Sequence, residues 1–97
     1  LTESIALDLA KYNINVNSVC PSWVDTERVD VYVEHLYQDN ISHKEKRDLH
    51  LSNIESSVPL GRYASSDDVA KAVAFLSSEE SSFITGASLN VSGGIIA

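Results

Sequence analysis

Apolar residues fall at Leu1, Ile5 and Leu9, one stripe of a 3.6-residue repeat, with Ala6 and Ala10 beside them. This spacing predicts a helix over residues 1–12. Leu7 lies off the stripe, so the helix has a second apolar side and packs against both its own sheet and a neighbour. Asn13 follows as a left-handed residue closing the helix, because Asn tolerates positive φ next best after Gly. Ile14, Val16 and Val19 then predict a strand over residues 14–20, stopped by Pro21. From residue 22 to about 57 the apolar positions scatter among charges, which predicts one or two short helices in a long excursion of the kind used as a lid or binding loop. Pro59-Leu60-Gly61-Arg62-Tyr63 is a turn-rich return. Ser65-x-x-Asp68 has the form of a capping box with the shorter acid in the Glu position. Val69, Val73 and Leu76 predict the next helix, with Ala70, Ala72 and Ala74 permitting close approach. Serines from Ser77 to Ser82 end it, Phe83-Ile84-Thr85-Gly86 turns the chain, and residues 87–91 form a second strand closed by Ser92-Gly93-Gly94.

Helix, strand, long excursion, helix, strand is an α/β order, with one right-handed crossover between two parallel strands. Parallel strands are covered on both faces. Two strands and two helices cannot supply that cover, so apolar surface is left over. The chain also has no Met and opens on Leu1 within a helical pattern. The expectation is that further strands precede Leu1.

Composition narrows the partners. The net charge of −7 over 97 residues argues against nucleic acid or an anionic membrane, both of which call for a basic footprint. Cys20 is the only cysteine, so no intramolecular disulfide forms, and a reducing, cytoplasmic compartment is the default. The longest apolar run, residues 72–76, is far too short to span a bilayer.

Candidate chemistry concentrates after the first strand. In open α/β sheets ligands lie outside the carboxyl ends of the strands, which is where Pro21-Ser22-Trp23-Val24-Asp25-Thr26 falls. Thr26 either meets a ligand there or caps a helix beginning near Glu27. Trp23 and Tyr32 either wall a substrate pocket or pack the excursion. His35, His43 and His50 match no common metal spacing and read as solvated surface, so no metal is expected. Lys44, Lys46 and Arg47, mixed with Glu45 and Asp48, read as an exposed helix face. Cys20 reads as a small buried hydrophobe.

Several segments occur together, in order and in register. They are Leu1-Thr2-x-Ser4-x-Ala6-x-Asp8-Leu9-Ala10, Ile14-Asn15-Val16-Asn17-Ser18-Val19-Cys20-Pro21, Val24-x-Thr26, Pro59-Leu60-Gly61-Arg62, Asp68-Val69-Ala70, Phe75-Leu76-Ser77-Ser78 and Ile84-Thr85-Gly86-x-x-Leu89-Asn90-Val91-x-Gly93-Gly94. With these segments the chain resembles the carboxyl-terminal portion of classical short-chain dehydrogenases/reductases, the Rossmann-type NAD(P)-dependent enzymes. The resemblance implies that residues 1–97 are the last helix–strand–loop–helix–strand part of one doubly wound parallel sheet, with 27–57 as substrate loop.

It further implies that Pro21, Val24 and Thr26 bind the cofactor, NAD or NADP. The backbone at Val24 would meet the nicotinamide carboxamide, and the Thr26 hydroxyl the amide or pyrophosphate. The implied reaction is hydride transfer to or from a secondary alcohol or ketone such as a polyol, sugar or hydroxy acid. The implied assembly is a homodimer or homotetramer, with Leu7 or its neighbours at an interface. Two positions depart from the family's pattern: Ser22 stands where Gly is usual, and Ser92 where Asp is usual. The family's catalytic Tyr-x-x-x-Lys pair has no counterpart here, since Tyr12, Tyr32, Tyr37 and Tyr63 all lack Lys four residues on. No catalytic residue is therefore expected in the chain, and no dehydrogenase activity from it alone. The competing expectation is a non-catalytic truncated segment acting only in oligomer assembly.

Overall fold

The computed structural model describes residues 1–37 and 40–95; of the expected 27–57 excursion, residues 38 and 39 lie outside the described residues. Helix α1 (Thr2–Ala10) leads to strand β1 (Ser18–Pro21). Helices α2 (Glu27–Leu36), α3 (His43–Ser57) and α4 (Ser66–Leu76) follow, then a 3₁₀ turn (Glu79–Ser81) and strand β2 (Ser88–Val91). β1 and β2 pair in parallel, Ser18 opposite Ser88 and Pro21 opposite Val91.

Local chemistry sets the joints. α1 closes with Asn13 at φ 60°. The Asn13 N–H donates to the Ala10 carbonyl at 2.9 Å and the Ile14 N–H to the Leu9 carbonyl at 3.4 Å. These paired 5→2 and 6→1 bonds form a Schellman closure, with Asn in the left-handed place. α4 opens with the expected capping box. The Asp68 N–H donates to the Ser65 hydroxyl at 3.0 Å, and the Ser65 N–H donates to the Asp68 carboxylate at 2.8 Å. Those bonds, with Arg62 at 2.9 Å, hold the Asp68 carboxyl at about 2, well below its usual value.

The first strand is shorter than its apolar pattern predicts and starts at Ser18 rather than Ile14. The cause lies in the asparagines. The Asn15 side-chain amide donates to the carbonyls of Ser82 (2.9 Å) and Ile84 (3.0 Å). Asn17 donates to Ile84 (3.0 Å) and accepts from the Ala87 N–H (3.0 Å). Side chains here take the partners that a β-ladder would use. Gly86, at φ 76°, lets this turn run against α1, where the buried Ala6 sits 3.6 Å from the place a Cβ would occupy.

The excursion is more regular than expected. α3 is a 15-residue helix, not a short one, and it pairs with α2. α2 turns Val29 and Val33 inward, and α3 turns Ile54, followed by Val58; all four are buried. Burial of each such side chain stabilises the pair by about 1.5–3 kcal/mol. With Ala6 they make up the whole buried apolar core among the described residues.

Elsewhere apolar surface stays uncovered. No residue of α4 is buried. Leu7 is 79% exposed and Phe83 fully so. Cys20 is exposed rather than buried, because a two-stranded sheet leaves its faces open. The radius of gyration, 17.3 Å, exceeds the roughly 13 Å of a compact domain of this length. No helix among the described residues is long and apolar enough to cross a membrane.

Gly93 tests the joint between β2 and the 58–61 return. It sits at φ 62°, and a Cβ there would lie 2.7 Å from Cγ1 of Val58. Gly93→Ala is expected to destabilise the protein by more than about 1 kcal/mol, through left-handed strain and overlap together. An unchanged denaturant midpoint would show that the joint yields freely.

Candidate functional site

Beyond Pro21 the ladder continues by one bond, from the Ser22 N–H to the Val91 carbonyl at 3.3 Å. Ser22 thus sustains the turn although it lacks glycine's freedom. The chain then meets a new neighbour. The Ala64 N–H donates to the Trp23 carbonyl at 2.9 Å, and the Asp25 N–H donates to the Ala64 carbonyl at 2.9 Å. This is a parallel bridge centred on Val24 and Ala64. In such a ladder, the residue between two bonded neighbours aims its own N–H and C=O at the opposite edge. Among the described residues, no protein group bonds to either of these groups of Val24. One backbone donor and one acceptor are therefore presented side by side on a braced segment.

A cleft of about 600 Å³ lies here, and Pro21, Val24 and Thr26 all line it, together with Trp23 and Tyr32. Thr26 is extended (φ −134°, ψ 178°) and caps α2, its hydroxyl accepting from the Arg28 N–H at 3.3 Å. The helix-cap alternative is thus realised. The same hydroxyl keeps its own proton and a second lone pair for another partner. The other departure, Ser92, donates its hydroxyl to the Ile95 carbonyl at 2.6 Å, so its oxygen serves the closing turn.

Behind the cleft stands a cluster that the sequence reading missed. His50 is 3% exposed, not solvated. Its ring lies 4.7 Å from Trp23, 5.3 Å from Tyr32 and 5.6 Å from Tyr63, and its Nδ1 shares a hydrogen bond with the Tyr63 hydroxyl. Burial, and then the Arg47 charge, push the His50 pKa down, while burial pushes the Tyr63 phenol up. Lys46 and Arg47 also depart from the expected exposed face. Lys46 is buried and pairs with Glu34 at 2.7 Å. Arg47 bridges Asp25 at 2.8 Å and Asp30 at 2.6 Å, tying α3 to both the turn and α2. His43 bridges Glu34 (2.6 Å) and Asp30 (3.1 Å), which raise its pKa in that order of weight. Among the described residues, His35 alone of the three histidines is exposed and makes no such pair. The available signal was register: Lys46, His50 and Ile54 share one stripe at intervals of four, so the apolar Ile54 marks the inward side for all three.

Against this geometry, known proteins supply the family. The family model described as enoyl-(acyl carrier protein) reductase matches residues 1–96. The chain is 42% identical to short-chain dehydrogenase srdC of Neurospora crassa, over 97% of this chain and 30% of that protein. It is 37% identical to galactitol 2-dehydrogenase of Agrobacterium fabrum, over 96% of this chain and 35% of that protein. The L-sorbose reductase of Gluconobacter frateurii, solved with NADPH and L-sorbose, superposes with a TM-score of 0.87 at 26% identity, covering 98% of this chain and 35% of that one. The chain therefore belongs to the enoyl-(acyl carrier protein) reductase family, among the short-chain dehydrogenases and reductases, and has their Rossmann-type α/β architecture. It spans about a third of the length of the curated relatives it matches.

The two paired histidines respond to pH with opposite sign. His43 is raised from 6.5, so its contribution is full below 6.5 and is lost as pH rises through the higher folded value. His50 is lowered from 6.5, so its contribution is full above 6.5 and is lost as pH falls through the lower folded value. Protection of α2 and α3 amides from hydrogen exchange, corrected for intrinsic rate, is expected to peak near pH 6.5. His43→Gln should flatten only the alkaline limb and His50→Leu only the acid limb. Unchanged limbs in both variants would remove the histidines from the pairing.

Proposed function

We propose that the chain is the carboxyl-terminal part of one NAD(P)-binding Rossmann domain, within an oxidoreductase that moves hydride between a nicotinamide and a secondary alcohol or ketone. The observation that carries this reading is that Val24 lines the cleft while its N–H and C=O find no bonding partner among the described residues. A carboxamide requires one donor and one acceptor held rigidly, and the two bonds from Ala64 give Val24 that rigidity. The residues present fit the group. When bound, the nicotinamide carries the hydride; this chain's part is to hold and orient it. Pro21 fixes the turn, the Val24 backbone takes the carboxamide, and the Thr26 hydroxyl adds a bond to the amide or pyrophosphate. Residues 27–57 cover the substrate, with Trp23 and Tyr32 as walls.

The names of galactitol 2-dehydrogenase and L-sorbose reductase support a polyol or sugar, within a range that also includes hydroxy acids. The proton-transfer pair belongs to sequence outside these residues. The single cysteine of these 97 residues, Cys20, supports a reducing, cytoplasmic compartment. The uncovered apolar side of α1, with Leu7 at 79% exposure, supports a homodimer or homotetramer. It equally suits a segment that acts only in assembly.

In the full-length protein, Thr26→Ala should weaken cofactor binding about fivefold, the worth of one net hydrogen bond of about 1 kcal/mol. Thr26→Asp keeps a capping oxygen but sets a negative charge against the pyrophosphate, and should weaken binding further. A cofactor dissociation constant unchanged in both variants would leave Thr26 as a cap alone.

Leu7→Glu should lower the sedimenting mass to that of a smaller assembly, because it buries an unpaired carboxylate at the interface. A protein that is monomeric at micromolar concentration, and indifferent to the change, would refute the assembly. Oligomerisation without any nicotinamide binding would favour the assembly-only reading.

A further inference from the structure

Trp23 and Tyr32 line the cleft. Their centroids are 4.9 Å apart at 53°, an open wedge. Behind the wedge, and outside the lining, stands His50, its ring edge-on to Trp23 at 74° and to Tyr32 at 62°. His50 in turn is held by the Tyr63 hydroxyl, on the return that carries Ala64. Tyr63 is therefore next to the residue that braces Val24, while His50 belongs to α3. Arg47, one turn earlier on α3, reaches Asp25 on the other side of Val24. The helix is thus fastened to the cleft turn at two points, by an ion pair at Asp25 and by an aromatic stack at Trp23.

We propose that His50 is a positioning residue for the substrate side of the cleft: held by Tyr63, its ring sets the Trp23 and Tyr32 faces against which the aliphatic C–H face of a polyol or sugar packs. The inference rests on the function proposed above. It assigns specificity to a residue that touches neither cofactor nor substrate. Aromatic contacts depend on angle, and an edge-on pair attracts beyond what its buried area gives. A wall that swings free loses most of that. Tyr63→Phe keeps the ring but releases His50. His50→Leu removes the backing ring. His50→Asn restores a polar atom near the place of Nδ1.

The full-length protein provides the test, with galactitol and L-sorbose as probes. KM for whichever probe turns over should rise about tenfold in His50→Leu and in Tyr63→Phe. The double variant should be no worse than either, since one linkage is cut in both. His50→Asn should recover part of the loss, and the dissociation constant for NADPH should stay within about twofold throughout. Trp23 is the only tryptophan of the 97 residues, so its energy transfer to bound NADPH, taken as a difference against Trp23→Phe, reads its position without turnover. That transfer should change in His50→Leu and Tyr63→Phe.

Unchanged transfer and unchanged KM in both variants would overturn the proposal while leaving the proposed function intact. Equal losses of NADPH and probe affinity together with a lower melting temperature would also overturn it, reducing His50 to general scaffold. Absence of any nicotinamide binding by the unaltered protein would overturn the function and this inference with it.

Discussion

The two hydrogen bonds that Ala64 makes, to Trp23 on one side of Val24 and to Asp25 on the other, organise everything around the cleft. They turn a loop after a strand into a short extra length of parallel ladder. Val24 then has no choice about where its peptide groups point. Without the bridge, residues 22–26 would be a flexible turn whose donor and acceptor water could satisfy in many orientations. With it, one donor and one acceptor are held rigid side by side, at the cost of ordering only a few residues.

The rest of the structure braces that element from different directions. β2 holds Ser22 from below the turn through Val91. α2 starts directly after it, with Thr26 closing the helix and the turn in one residue. α3 reaches back through Arg47 to Asp25 and through His50 to Trp23. Asp25, Asp30 and Glu34 face His43, Lys46 and Arg47, so the charges that make the chain acidic elsewhere are balanced locally where the two helices meet. Only Lys46 of that set is buried, with its ammonium meeting Glu34.

Features decided by near neighbours in sequence were legible before the fold was known. Asn13 closes its helix by a bond pattern that reaches five residues back, and Ser65 and Asp68 form a reciprocal cap three residues apart. The cleft turn was also legible as a place, because strand, proline and polar turn occur together. What was not legible depends on distant partners. The Val24–Ala64 bridge joins backbone groups far apart in sequence, and no side chain advertises it. The asparagines at 15 and 17 read as part of a strand because their partners in the 82–87 turn are not visible locally. His50 and Lys46 read as surface because a polar residue buries only once its partner helix is in place.

The separation between the two strands has a different consequence. Ser18 and Ser88 share a hydroxyl–hydroxyl bond across 70 positions of sequence, and everything between them is one closed loop. Closure entropy rises only logarithmically, so doubling such a loop costs about 0.6 kcal/mol more. The α2–α3 hairpin can therefore grow or shrink at little thermodynamic expense to the strand pair that encloses it. The bonds at Ala64 and Val91 confine such change to the far end of the hairpin. Hairpin length and the braced turn of residues 22–26 are thereby uncoupled, one segment free to change size beside five residues that are not.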